Sequence, residues 1–184
     1  MPKKTNGQTM TDEEFINYFR LNLNTFTDTA WAPIATDIST WASSYRLSSI
    51  VNITIPFDDG GVVTSDYDAC CWVFSTGKQP GLFNEVGTYP VSGNRQFGMT
   101  TENGVKTFFI HGANRSKNLL GHIVGYGPAD ELWETTLANV KEFIEAQPQG
   151  GQCSINTPDK IRLNWNAIRT QLMSSSPITD ITCD

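Results

Sequence analysis

Four cysteines and two histidines carry most of the reactive chemistry that this 184-residue chain offers. Cys70 and Cys71 are adjacent, Asp66 and Asp68 stand just before them, and His111 and His122 follow. A thiol beside an imidazole loses its proton more readily, and the thiolate attacks an acyl carbon or an amide. Cys71 as nucleophile, His111 as base and Asp68 as the carboxylate that orients the ring therefore make the catalytic candidate. The chemistry would be thiol-dependent hydrolysis or deamidation. It requires the strand that holds Cys71 to lie beside the strand that ends before His111. Against it, both cysteines sit in the most apolar run of the chain, Ala69 to Phe74, where cysteines usually act as small hydrophobes. No glycine-rich oxyanion loop flanks them.

A second candidate is the segment from His111 to Asn118. It offers a glycine, an amide, a hydroxyl and two cations between a strand and a short helix. With Ser116 as the helix cap, the free N–H groups together with Arg115 and Lys117 would hold a phosphate, carboxylate or nucleotide. His111, Asn114, Arg115, Ser116 and Lys117 are the ligand-binding candidates. The alternative is a solvated connection whose polar side chains satisfy the backbone. His111-Gly112 after an apolar strand resembles the histidine–glycine opening of some ADP-ribosyl transferases. The tyrosine strand and catalytic glutamate of that family have no counterpart downstream, so the chain is assigned to no family.

Asp58, Asp59, Asp66 and Asp68 flank one turn and strand, but their spacing does not match the twelve-residue calcium loop. No cysteine pair has the C-x-x-C spacing of a zinc or redox site. No metal and no cofactor are expected. The five tryptophans, one per main element, read as core before they read as a pocket.

The elements that would position these groups follow from periodicity. Thr11-Asp12-Glu13-Glu14 is a capping box, and Phe15, Ile16, Phe19, Leu23 and Phe26 continue it as a helix to about Thr27. Trp31, Ile34, Ile38, Trp41 and Tyr45 predict a second helix, with Pro33 in its first turn. From Ser49 the period becomes two. Val51, Ile53, Ile55 and Phe57 mark a strand, Asp58 to Gly61 a turn, and Val62 to Ser75 a second extended stretch buried on both faces at its centre. Val86–Val91 and Arg95–Thr101 are weaker strands, and Asn103-Gly104 joins the latter to Val105–Ile110 as a hairpin. A short helix over Lys117–Val124, a turn at Gly125–Pro128 and a helix from Asp130 follow. Trp133, Leu137, Val140 and Ile144 line that last helix. Thr157-Pro158 opens a final helix through Ile161, Trp165, Ile168 and Leu172.

Together these predict an α+β fold. It is an antiparallel meander sheet of four to six strands, with two N-terminal and two C-terminal helices packed on one face. Residues 11–173 read as a single domain, with flexible tails at 1–10 and 174–184. The aromatic content, 10 Phe, 5 Trp and 5 Tyr, suffices for a core. A formal charge of -6 disfavours general nucleic-acid binding. No apolar run approaches the roughly 20 residues that span a bilayer, and no secretion signal opens the chain. A cytoplasmic setting is the expectation, secretion staying open, as does oligomeric state. Such a layout hosts many functions. The leading expectation is a binding or interaction module, holding a protein partner or small ligand at the open sheet face or the His111–Lys117 loop. A thiol-dependent hydrolase and an anion-binding protein are the alternatives.

Overall fold

The computed structural model describes residues 1–43, 47–55, 58–77, 91–116, 119–148, 151–156, 159–160 and 165–174. The expected strand at Val86–Val91, apart from its last residue, lies outside these, as do Lys117, the Thr157-Pro158 cap and residues 175–184. The chain divides into two compact units, Met1–Ser154 and Ile155–Asp184. The second unit contains helix α5, Trp165–Met173.

Helix α1 (Asp12–Leu21) opens on the expected capping box: Thr11 Oγ1 accepts from Glu14 N at 3.2 Å, and Glu14 Oε2 accepts from Thr11 N at 2.9 Å. The helix does not run on to Thr27. Asn22 donates through Nδ2 to Tyr18 O at 2.8 Å, and this local side-chain bond competes with the helical ladder. A separate turn, α2 (Leu23–Phe26), resumes after it. Phe15, Ile16, Phe19, Leu23 and Phe26 still share one buried face. Within residues 1–10 there are a Lys3–Thr9 bridge, a buried Pro2 and an ion pair from Lys4 to Glu14 at 2.8 Å.

The predicted second helix is corrected. Ala30–Pro33 is strand β1, a 3-10 turn follows at Ala35–Asp37, and only Ile38–Ala42 is helix α3. Pro33 lacks an N–H and so suits an edge strand as well as the first turn of a helix; pairing of Ala30–Pro33 with Val51–Thr54 holds the segment extended. Asn24 fixes the strand by accepting from Trp31 N at 2.7 Å and donating to Trp31 O at 3.1 Å. Trp31 and Trp41 both reach the core from this mixed backbone.

Strands β2 (Ile50–Ile55), β3 (Asp58–Tyr67), β4 (Cys71–Thr76), β5 (Val91–Glu102) and β6 (Val105–Ser116) complete a six-stranded antiparallel sheet in the order β1-β2-β3-β4-β5-β6. This is the expected meander and the α+β class. Asp58–Gly61, predicted as a turn, pair with Asn52–Ile55 inside β3. The expected extended stretch from Val62 to Ser75 is broken at Asp68–Cys70 into two strands. The β5–β6 turn falls on Asn103 and Gly104, with φ of 51° and 79°, the left-handed pair that such a hairpin needs.

Trp72, Phe74, Phe97 and Met99 point to the helix side and are buried with Phe19, Phe26, Val140 and Ile144. Trp72 and Phe97 stack at 4.3 Å, and Phe19 sits 5.5 Å from Phe97. Arg20 is buried there too, its guanidinium over the Trp41 ring and bonded to Trp41 O and Asn17. Helix α4 (Leu119–Glu145) is one continuous element where a short helix, a turn and a second helix were expected. Gly125 to Pro128 do not interrupt it. A proline costs a helix one backbone bond without obliging it to end, and the later turns are held by packing of Val140 and Ile144. No helix among the described residues is long and apolar enough to cross a membrane.

Candidate functional site

Because side chains alternate across a strand, register decides which candidates share a face. Cys71 pairs with Gly98, and Gly98 with Phe109; one row on, Val73 pairs with Gln96, and Gln96 with His111. These six lie on the face turned away from Trp72, Phe74 and Phe97. Gly98 is required there: a Cβ on it would fall 2.3 Å from Phe109 Cζ and 2.9 Å from Cys71 Cβ. Phe109 therefore lies over the glycine, and His111 stacks on Phe109 at 4.5 Å with 25° between the rings.

Cys71 and His111 do not meet as the hydrolase candidate requires. Strand β5 intervenes between β4 and β6, so two strand spacings, roughly 9–10 Å, separate their backbones. The partners of Cys71 Sγ are Cys70 Sγ at 3.1 Å, Asp68 Oδ1 at 3.2 Å and Gln96 Nε2 at 3.3 Å. Asp68 attends the thiol and its own turn, not an imidazole. Its Oδ1 accepts from the N–H groups of Cys70 and Cys71, both at 2.8 Å. Asp68 N donates to Cys71 O at 2.8 Å, and Met99 N to Cys70 O at 2.9 Å, which pins the turn to β5. Cys70 is exposed and Cys71 half-buried, so the expectation of a run buried on both faces holds for Trp72 and Phe74 on one side only.

The electrostatics follow from these contacts. Bonds from the two thiols, helped by the backbone N–H groups, hold the Asp68 carboxyl down at about 2 from its ordinary 3.8. Burial first, then the contacts with Cys70 and Asp68, push the Cys71 thiol up to about 12, against a smaller opposing effect of Gln96. For Cys70 the contact with Cys71 pulls downward, yet the Asp68 carboxylate and burial together raise it. A carboxylate whose folded value is depressed stabilises the fold above its ordinary value and loses that contribution as pH falls through the folded one. Asp68 should thus cost stability between about pH 4 and pH 2, by less than ~1 kcal/mol because the group is largely exposed. Urea midpoints across that range should fall less steeply in Asp68→Asn; an unchanged slope would contradict the assigned bonds.

The anion candidate is also rearranged. Residues 111–116 are not a loop but the second half of β6, paired with β5 as far as Val91–Ser116. Ser116 is therefore no helix cap, and Arg115 pairs through its backbone with Ser92. Asn114 is on the opposite sheet face from His111; with its amide turned so that the oxygen faces Arg95, it accepts from Arg95 Nη2 at 2.8 Å and donates to Ala113 O at 3.2 Å. Arg95 in turn lies over the Trp133 ring at 4.7 Å.

What the residue pattern did not reveal is the grouping of Asp68, Cys70 and Cys71, whose ligating atoms all lie within 4.8 Å of one another. The available signal was Asp two residues before Cys70, the spacing of a side-chain-capped turn. Gln96, Gly98 and Phe109 carried no comparable signal. Comparison of the chain with protein-family models, with curated proteins and with solved structures finds no match.

Proposed function

We propose that the chain is a non-enzymatic binding module that takes a protein partner on the outer face of β4, β5 and β6. The observation that carries this reading is the Phe109–His111 stack, seated over Gly98 on a sheet face opposite the helices of the first unit. Half-buried Phe109 and Val73 with exposed His111 give a flat, mixed apolar and polar surface. Aromatic rings are enriched at protein interfaces, whereas a small ligand favours an enclosing cleft. The raised Cys71 thiol weighs against the hydrolase, and the strand at 111–116 weighs against the anion loop. The expected cytoplasmic setting belongs to the same proposal, and the free thiols at Cys70, Cys71 and Cys153 are compatible with it.

The test is photo-crosslinking with a reactive side chain at Thr107 on the outer face, in the cell that makes the protein. One adduct of defined mass should form, and unlabelled protein should compete it away. Phe109→Asp protein, folded by circular dichroism, should fail to compete. Equal competition by both proteins, or no discrete adduct, rejects this face.

A further inference from the structure

The turn between β3 and β4 places two sulfurs and a carboxylate together at an accessible end of the sheet, bordering the face described above. We propose that Asp68, Cys70 and Cys71 form a binding site for one thiophilic divalent cation of the zinc class. The inference goes beyond the partner reading and stands without it.

Three observations carry it. The three ligating atoms lie within 4.8 Å of one another, close enough for a single ion to reach all of them. Cys70 and Asp68 are exposed, which opens a path for the ion. The turn is already fixed by Asp68 N to Cys71 O, Met99 N to Cys70 O and the two N–H bonds onto Asp68 Oδ1. Little backbone ordering therefore remains to oppose binding.

The donor set selects the metal. Two sulfurs and one carboxylate oxygen suit zinc or the softer cadmium, while calcium and magnesium want oxygen throughout. With metal–sulfur bonds of about 2.3 Å, two sulfurs on one tetrahedral ion stand roughly 3.8 Å apart. The Cys70 and Cys71 sulfurs are 3.1 Å apart, so small side-chain rotations complete the fit. Each thiol passes its proton to solvent as it ligates, and water fills the fourth position. Gln96 Nε2, 3.3 Å from Cys71 Sγ, is placed to donate to the bound sulfur, the outer contact that metal thiolates commonly receive. A disulfide between the two suits this turn less well. Neighbouring Cα atoms across a trans peptide are about 3.8 Å apart, short of the roughly 4.4 Å minimum usual for a disulfide.

The probe is cadmium, added to the full chain bearing Cys153→Ser and Cys183→Ser, reduced and kept free of oxygen. One ion per chain should bind, with a sulfur-to-cadmium charge-transfer band that zinc then displaces. Cys70→Ser and Cys71→Ser should each remove the band and weaken binding by at least ~100-fold, and Asp68→Asn should weaken it about tenfold or more. Asn keeps an oxygen to accept the turn N–H groups, so that variant separates ligation from folding. Circular dichroism confirms that each variant is folded. A band that survives Cys71→Ser, or no band in a chain whose two thiols both titrate as reduced, overturns the site.

Discussion

Replacing Phe97 by alanine should remove about 3–5 kcal/mol of folding stability, the usual cost of deleting a buried phenylalanine. The ring is fully buried. It stacks on Trp72 at 4.3 Å and meets Phe19 and Trp133, each at 5.5 Å. No neighbour can collapse into the space without breaking one of those contacts, so the cavity cost adds to the lost transfer energy. Against a typical total of about 5–15 kcal/mol, that loss is about a fifth or more of what holds a domain together. Phe109→Ala is the internal contrast, because the same residue type on the other face is half-buried and should cost about 1 kcal/mol. Equilibrium urea unfolding measures both. A larger loss at Phe109 than at Phe97 would mean that the assignment of sheet faces is inverted, and equal losses would contradict the difference in burial.

Alkylation of Cys71 gives the second large effect. Raising the thiol from 9.0 to about 12 leaves roughly a thousandfold less thiolate at neutral pH than an ordinary thiol has. Iodoacetamide labelling of Cys71, followed by mass spectrometry of its peptide, should be at least ~10-fold slower in the folded chain than in urea. Because a raised thiol ionises late, the folded rate should go on climbing well above pH 9, after the unfolded rate has levelled. His111→Ala should leave the folded rate unchanged, since β5 separates the two side chains. A rate at pH 7 faster than that of the unfolded chain, and lost in His111→Ala, would restore the hydrolase.

The parts of the fold legible from residue pattern were those in which local preference and burial agree. Thr11 and Glu14 cap α1 as their spacing demands, and Asn103-Gly104 makes the hairpin. The two-residue alternation from Val51 to Ile55 marks β2 with Val51 and Ile53 inward. Failures came where one spacing serves two backbones. Trp31 and Trp41, ten residues apart, fit one helix face, yet a strand and a short helix joined by a turn bury both rings equally well, and pairing with β2 together with the Asn24 bonds to Trp31 favours the strand. Gly125 to Pro128 read as a stop, but α4 carries through them because packing further along the same helix outweighs local preference. Strand order was the other missing quantity. Cys71 and His111 are two strands apart only because β5 runs twelve residues and lies against both β4 and β6. The polar run from His111 to Ser116 belongs to the last strand in the sheet order, and His111 to Ala113 are exposed, so it gave the pattern of a loop. The Asp68 turn was concealed by the apolar letters around it: Ala69 and Cys70 are exposed although Trp72 and Phe74 beside them are core.

Helix α1 is tied to the end of the sheet. Asp12 accepts from Thr101 Oγ1 at 2.7 Å and pairs with Lys106, contacts that bridge 89 and 94 residues of chain. Phe15 and Phe19 rest on Phe108 and Phe97 from that same hairpin. On the ribosome, then, the first helix emerges with its aromatic stripe bare, and its seat is made about 5–20 s later at ordinary elongation speeds. For that interval the nascent chain presents a greasy amphipathic segment to its surroundings, and its docking has to wait for the newly finished sheet.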